Sequence, residues 1–139
     1  MVHGVRRTLA RALAAGLVIG ALAGCGAGGE DERAGRVAEE FYSAVSARDG
    51  PRACAQLSES TVTELEKDEM SPCPTAVTEL ELSGSTVERS TVYVTSALVE
   101  LRGGDRVFLD KTPEGWKVSA AGCKAEAGEE QPDDCEVES

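Results

Sequence analysis

Histidine is nearly missing from this chain: among 139 residues there is one, His3. It lies within a stretch that reads as a removable leader, so the remainder has no imidazole. That excludes a Ser-His-Asp triad, a histidine-bound zinc and a proton relay working near neutral pH. No two cysteines stand in the close C-x-x-C spacing that redox catalysis uses. A membrane span is missing too, since the uncharged run over residues 12–23 is only 12 residues long. As a helix it would reach about 18 Å, against a hydrocarbon core of about 30 Å. Positive charge is the minority, with 14 basic residues against 25 acidic ones. Such a balance repels nucleic acid and anionic lipid headgroups.

What the start does contain is a basic segment, Arg6, Arg7 and Arg11, followed by that apolar run and then by Leu22-Ala23-Gly24-Cys25. A basic start and a short apolar stretch are the layout of an export signal. Small residues before Cys25 let a peptidase approach the backbone, and the thiol can be alkylated. Leu-Ala-Gly-Cys resembles the lipobox of bacterial prolipoproteins. That resemblance implies a diacylglyceryl group on Cys25, cleavage just before it, and a place on the outer face of the cell membrane. Two acyl chains suffice as an anchor. The plain alternative is a secretory signal whose cut falls near a cysteine. Arg6-Arg7-Thr8-Leu9 resembles part of a twin-arginine signal, so the export route stays open.

On this reading residues 1–24 are the leader, 25–31 the lipidated cysteine and a flexible tether, and 32–139 a single domain with a polar tail. Gly26-Ala27-Gly28-Gly29 is short, so the domain should sit close to the bilayer. Removing 24 of 139 residues leaves 115, enough for one modest core. All 25 acidic residues and 11 of the 14 basic ones remain, a formal charge of −14. The acyl chains rather than the acidic surface should therefore make the membrane contact.

From Asp31, a candidate N-cap, the residues Ala34, Val37, Ala38, Phe41, Ala44 and Val45 recur at spacings of three and four, with Glu39, Glu40 and Arg48 on the other side. This is the period of an amphipathic helix. Asp49-Gly50 stops it, and Pro51 opens a second helix carrying Cys54 and Leu57. Ser58 caps a third with Val62 and Leu65 inward, unless Thr61 and Glu64 form the capping box instead. Ser71-Pro72 repeats the signal for a helix through Cys73, Val77 and Leu80.

After Ser83-Gly84-Ser85 the period becomes two. A strand over 87–94 is followed by Ala97, Val99 and Leu101 alternating with Leu98, Glu100 and Arg102. Gly103-Gly104 suits a two-residue hairpin turn, which needs positive φ at both positions. A strand over 106–111, a turn at Thr112-Pro113-Glu114-Gly115, and Trp116, Val118 and Ala120 continue the pattern. Cys135-Glu136-Val137 can return to a sheet edge. The expected class is α+β, helices first and then a curved antiparallel sheet that they cover on one side.

With Cys25 assigned to lipid, Cys54, Cys73, Cys123 and Cys135 form an even set in an oxidising compartment, and three pairings are possible. Cys54 with Cys73 and Cys123 with Cys135 are favoured, because each pair joins neighbours within one half of the chain. Metal ligation has weaker support: Glu129, Glu130, Asp133 and Asp134 lack the glycine turn and ligand order of a calcium loop and read as a solvated tail. No cofactor site is indicated.

Val37-Ala38-Glu39-Glu40-Phe41-Tyr42, the early helices, and hairpins ending in Glu114-Gly115-Trp116-Lys117-Val118 are similar to the nuclear transport factor 2-like, or SnoaL-like, cone fold. More narrowly, Gly115-Trp116-Lys117-Val118-Ser119-Ala120-Ala121-Gly122-Cys123 with the late Cys135 resembles small, mostly uncharacterised lipoproteins of actinobacteria. Where those carry an aromatic residue two before the last cysteine, this chain has Asp133. The resemblance implies helices seated in the hollow of a bent sheet. In enzymes of that fold a pocket-facing Asp, His or Tyr does acid-base work, but no residue here matches such a motif. Asp110, Tyr42 and Tyr93 are the nearest candidates, as pocket-lining groups. The expected function is a non-catalytic lipoprotein that binds a small apolar molecule or an envelope protein. The alternative is an isomerase, cyclase or hydratase using a carboxylate and a tyrosine.

Overall fold

A computed structural model describes residues 28–84, 86–124 and 134–139. The leader, Cys25 and the acidic tail residues Glu129, Glu130 and Asp133 lie outside that range. Four helices, α1 (Gly28–Ser46), α2 (Gly50–Cys54), α3 (Glu59–Glu69) and α4 (Cys73–Ala76), precede β1 (Val87–Tyr93), β2 (Ser96–Leu101), β3 (Asp105–Thr112), β4 (Gly115–Lys124) and β5 (Val137–Glu138). A 3-10 turn over Val77–Glu79 extends α4. The strands form one antiparallel sheet in chain order. The class is α+β.

The apolar stripe of α1 is the one its spacing implies: Ala34, Ala38, Phe41, Tyr42, Ala44 and Val45 are all buried. That stripe shares one core with Val99, Leu101, Val107 and Leu109, which project from the facing side of the sheet. Alternation leaves Leu98, Phe108 and Ala120 on the opposite side, paired across the strands and partly exposed.

Both edges of the sheet are occupied. Along β1, Asp31 Oδ1 accepts from Val92 N at 2.9 Å and Glu39 Oε1 from Val87 N at 3.2 Å. Along β4, Ser58 N donates to Val118 O at 2.9 Å and Val118 N to Gln56 O at 2.8 Å, and β5 then pairs with Ala120 and Ala121. Backbone donors of Val87, Val92 and Val118, which would otherwise invite a second chain, are thus taken up by side chains and loops.

Cys54 is bonded to Cys73 and Cys123 to Cys135, the favoured pairing. Disulfides persist where the surroundings are oxidising, which makes this an extracytoplasmic domain. Ser58 caps α3 by accepting from Thr61 N at 3.2 Å, which resolves the two capping alternatives.

Several local expectations are corrected. Asp31 is not the N-cap of α1, because the helix starts at Gly28 and so takes in glycines assigned to a flexible spacer. Glu30 and Asp31 sit in its first turn, where carboxylates suit the helix dipole. Leu57 lies past α2 and bridges to Val118. Ser71 caps nothing: it stands one residue too early, and Glu66 Oε1 accepts from Cys73 N at 2.9 Å instead. Between β2 and β3 the loop holds three residues rather than two, with Gly104 N donating to Leu101 O at 3.1 Å. The two-residue turn falls at Val94-Thr95, where neither residue announces it. Ala120 is partly exposed, while Ala121 joins the core. Register shifts on both sides of Phe108 each put an extra residue into β4, and the one between Leu109 and Phe108 turns the alternation over from Val118 to Ala120.

Candidate functional site

Three places in the described residues gather chemistry-bearing groups. The first is inside. Asp105 begins β3 with a side chain wholly buried, on the same face as Val107 and Leu109. Tyr42 Oη donates to its Oδ2 at 3.2 Å, Ser83 N donates to the same oxygen at 2.6 Å, and Lys124 Nζ pairs with Oδ1. Tyr42 Oη in turn accepts from Gly122 N at 3.0 Å. Burial pushes the Tyr42 phenol well above its usual range, and the facing carboxylate adds to the effect. Every polar atom of this cluster has a partner within the protein. It joins α1, the strand ends and the coil before β1, and none of the described pockets opens onto it.

The second place is the end of the sheet beside the start of α1. Glu30 Oε2 accepts from Lys111 Nζ at 2.9 Å and from Trp116 Nε1 at 3.0 Å, while Arg33 pairs with Oε1. These donors, Lys111 foremost and then the indole, hold the Glu30 carboxyl at about 2, below its usual 4.5. Lys111 Nζ also lies 5.6 Å from the centre of the Trp116 ring.

Next to this cluster an open groove of about 500 Å³ runs between α1 and the β3–β4 hairpin, lined by Arg33, Arg36, Val37, Glu40, Trp116 and Lys117. Arg36 lies 3.9 Å from Glu32, and Lys117 Nζ donates to Ala55 O at 2.6 Å. Three cations and two carboxylates, Glu40 and Glu114, border this groove. The arrangement suits a polar group set against the indole and Val37.

The third is the outer side of the sheet, where Leu98, Phe108 and Ala120 make a continuous apolar row. Arg89, Glu100 and Arg106 flank it, Arg89 facing Glu100 at 3.6 Å.

Of the candidates named from sequence, Tyr42 enters a polar cluster, but a closed one. Asp110 is exposed on the outer side, and Tyr93 is exposed on the β1–β2 hairpin. The three are not brought together. Sequence reasoning passed over Asp105 and Glu30. Asp105 did carry a signal, an acidic residue in phase with the inward Val107 and Leu109. Glu30, inside the presumed tether, carried none. No group of metal-binding side chains occurs among the described residues, and none of their helices is long and apolar enough to cross a membrane. Comparison with protein-family models, with curated proteins and with solved structures finds no match for this chain.

Proposed function

We propose that the chain is a lipoprotein of the outer face of the cell membrane, held by acyl chains on Cys25 and carrying a non-catalytic interaction domain. The observation that carries this is the division of the cysteines. Four of the five close two disulfides, which leaves Cys25 alone, at the end of Leu22-Ala23-Gly24-Cys25 behind a basic and apolar leader.

The polar interior supports the non-catalytic part of the reading. A carboxylate and a phenol that are both enclosed and fully hydrogen-bonded meet no substrate without opening the core. The surface supports a partner from the envelope over a small apolar ligand. Small ligands usually bury most of their area in an enclosed pocket, whereas the groove beside Trp116 and the row through Phe108 are open, as protein partners require. The cone-fold likeness belongs to the same reading, and α1 packed on one side of the sheet agrees with it.

The test is the mature N-terminus. Protein purified from its own membranes is expected to begin at an acylated Cys25, by mass spectrometry of the N-terminal peptide. The Cys25→Ser variant should keep its leader and lose the acyl mass. An unacylated N-terminus in the parent, cut elsewhere, would overturn the proposal.

A further inference from the structure

The β1–β2 hairpin exposes more apolar surface than the fold needs. Among the described residues the large hydrophobic side chains left exposed are Met70, Tyr93 and Val94, and two of these share one hairpin tip. Val94 is 92% exposed and Tyr93 57%. Val94 also holds φ at +36°, a left-handed conformation that a β-branched side chain adopts only at a cost. An asparagine or glycine would make the same turn without strain. An exposed valine kept in a strained turn is an outlier that packing does not explain.

Its position gives the outlier a use. Asp31, in the first turn of α1, accepts from Val92 N at 2.9 Å, and its carbonyl accepts from Ser90 Oγ at 2.8 Å. Lys111 N donates to Thr95 O at 2.8 Å, tying this hairpin to the next, while Lys111 Nζ reaches Glu30 at 2.9 Å. The tip and the start of α1 therefore occupy the same end of the molecule. Only Gly26 and Ala27 separate Cys25 from Gly28. Three backbone steps extend to about 11 Å at most, and the headgroup layer of one leaflet is roughly 5–8 Å deep. A lipid on Cys25 thus brings this end of the domain against the headgroups.

We propose that Tyr93 and Val94 form a second membrane contact, inserting into the headgroup region of the bilayer that holds Cys25 and fixing the orientation of the domain upon it. The inference rests on the lipoprotein reading above. Acyl chains still supply the hold, and the tip adds direction. A tyrosine suits that depth, its ring among the apolar parts and its hydroxyl in water. Of the carboxylates near the tip, Glu30 is paired with Lys111 and Arg33 and Asp31 accepts from Val92 N, while Asp110, opposite Ser96, stays exposed on the outer side of the sheet. The groove beside Trp116 adjoins the same end, so a tilt set by the tip decides how far that groove is open to a partner.

The test uses acylated protein in lipid nanodiscs containing a gadolinium-labelled headgroup, made from phosphatidylcholine alone or with phosphatidylglycerol. Amide signals of residues 93–96 are expected to broaden at least threefold more than those of Gly103 and Gly104 at the far end of the strands, in both lipid mixtures. In Val94→Asn, which suits the turn and keeps the fold, the excess broadening should fall by half or more. Equal broadening at the two ends, in protein that still co-purifies with the discs, overturns the tip contact and leaves the Cys25 anchor standing. Protein that does not co-purify at all overturns the anchor itself. Excess broadening only with phosphatidylglycerol indicates an ionic contact and also overturns the proposal.

Discussion

Glu30 takes three donors at once, and the consequence is a dependence on acid. Its folded carboxyl ionises at about 2 rather than at the usual 4.5, because Lys111, the Trp116 indole and Arg33 all favour the charged form. A lowered folded value means that the stabilisation is complete above 4.5 and is lost as the pH falls from there towards 2. In Glu30→Gln the urea midpoint should be lower than that of the parent near neutral pH, and the two should converge as the pH approaches 2. A constant gap at all pH values would mean that the carboxylate is not the source. Tyr42 makes a different case, because its hydroxyl is buried and used in both directions. Tyr42→Phe leaves Gly122 N–H without a partner inside the core, which costs about 1–3 kcal/mol. The exposed Tyr93→Phe should change stability by no more than about 0.5 kcal/mol in the same urea titration.

Among the elements, α2 and α4 meet more closely than any side chain allows. Gly50 opens α2 directly against Pro74, and a Cβ there would fall 1.9 Å from the Pro74 carbonyl oxygen. That oxygen belongs to backbone, and the Cys54–Cys73 bond holds the two helices together, so neither side can yield. Gly50→Ala is expected to destabilise by about 3 kcal/mol, at the upper end for overpacking, as measured by urea unfolding. Asp49-Gly50-Pro51 had been legible as a stop and a start, but not as a contact, because the partner lies more than twenty residues on. The same division runs through the chain. Helix faces and strand phase follow from local periods, and the apolar stripe of α1 and the inward set of β2 were legible residue by residue. What depended on distant partners was not. Asp31 bonds to β1 instead of capping its own helix, Glu66 takes the role expected of Ser71, and an extra residue in β4 reverses the face of Ala120. At the candidate site, the polar interior was half legible through Tyr42, while Asp105 and Glu30 acquired meaning only from residues up to 86 positions away.

At the scale of the molecule, the two disulfides divide the work of holding a small, strongly charged domain together. Cys54–Cys73 spans 19 positions and encloses α3, and Cys123–Cys135 spans 12 and returns β5 to the sheet. β5 has two residues and pairs only with Ala120 and Ala121, too little to stay in place without the crosslink. Loop-closure entropy gives each bond about 3 kcal/mol, against a total of about 5–15 kcal/mol for a domain of this kind. Losing one should therefore lower the urea midpoint and leave a folded protein, whereas losing both removes a large part of the margin. The formal charge of −14 on residues 25–139 works in the same direction, since acidic groups repel in the compact state. Paired serine variants at Cys54 and Cys73, at Cys123 and Cys135, and at all four positions separate the contributions. Each double variant is expected to lose about 3 kcal/mol by far-ultraviolet circular dichroism in urea. The fourfold variant should be largely unfolded in dilute buffer and recover structure as salt screens the acidic surface. Because α3 packs against β5, the two losses share a contact and need not add fully. A fourfold variant that melts with the parent would show instead that the apolar core under α1 holds the fold alone, and that the crosslinks serve resistance to proteolysis outside the cell.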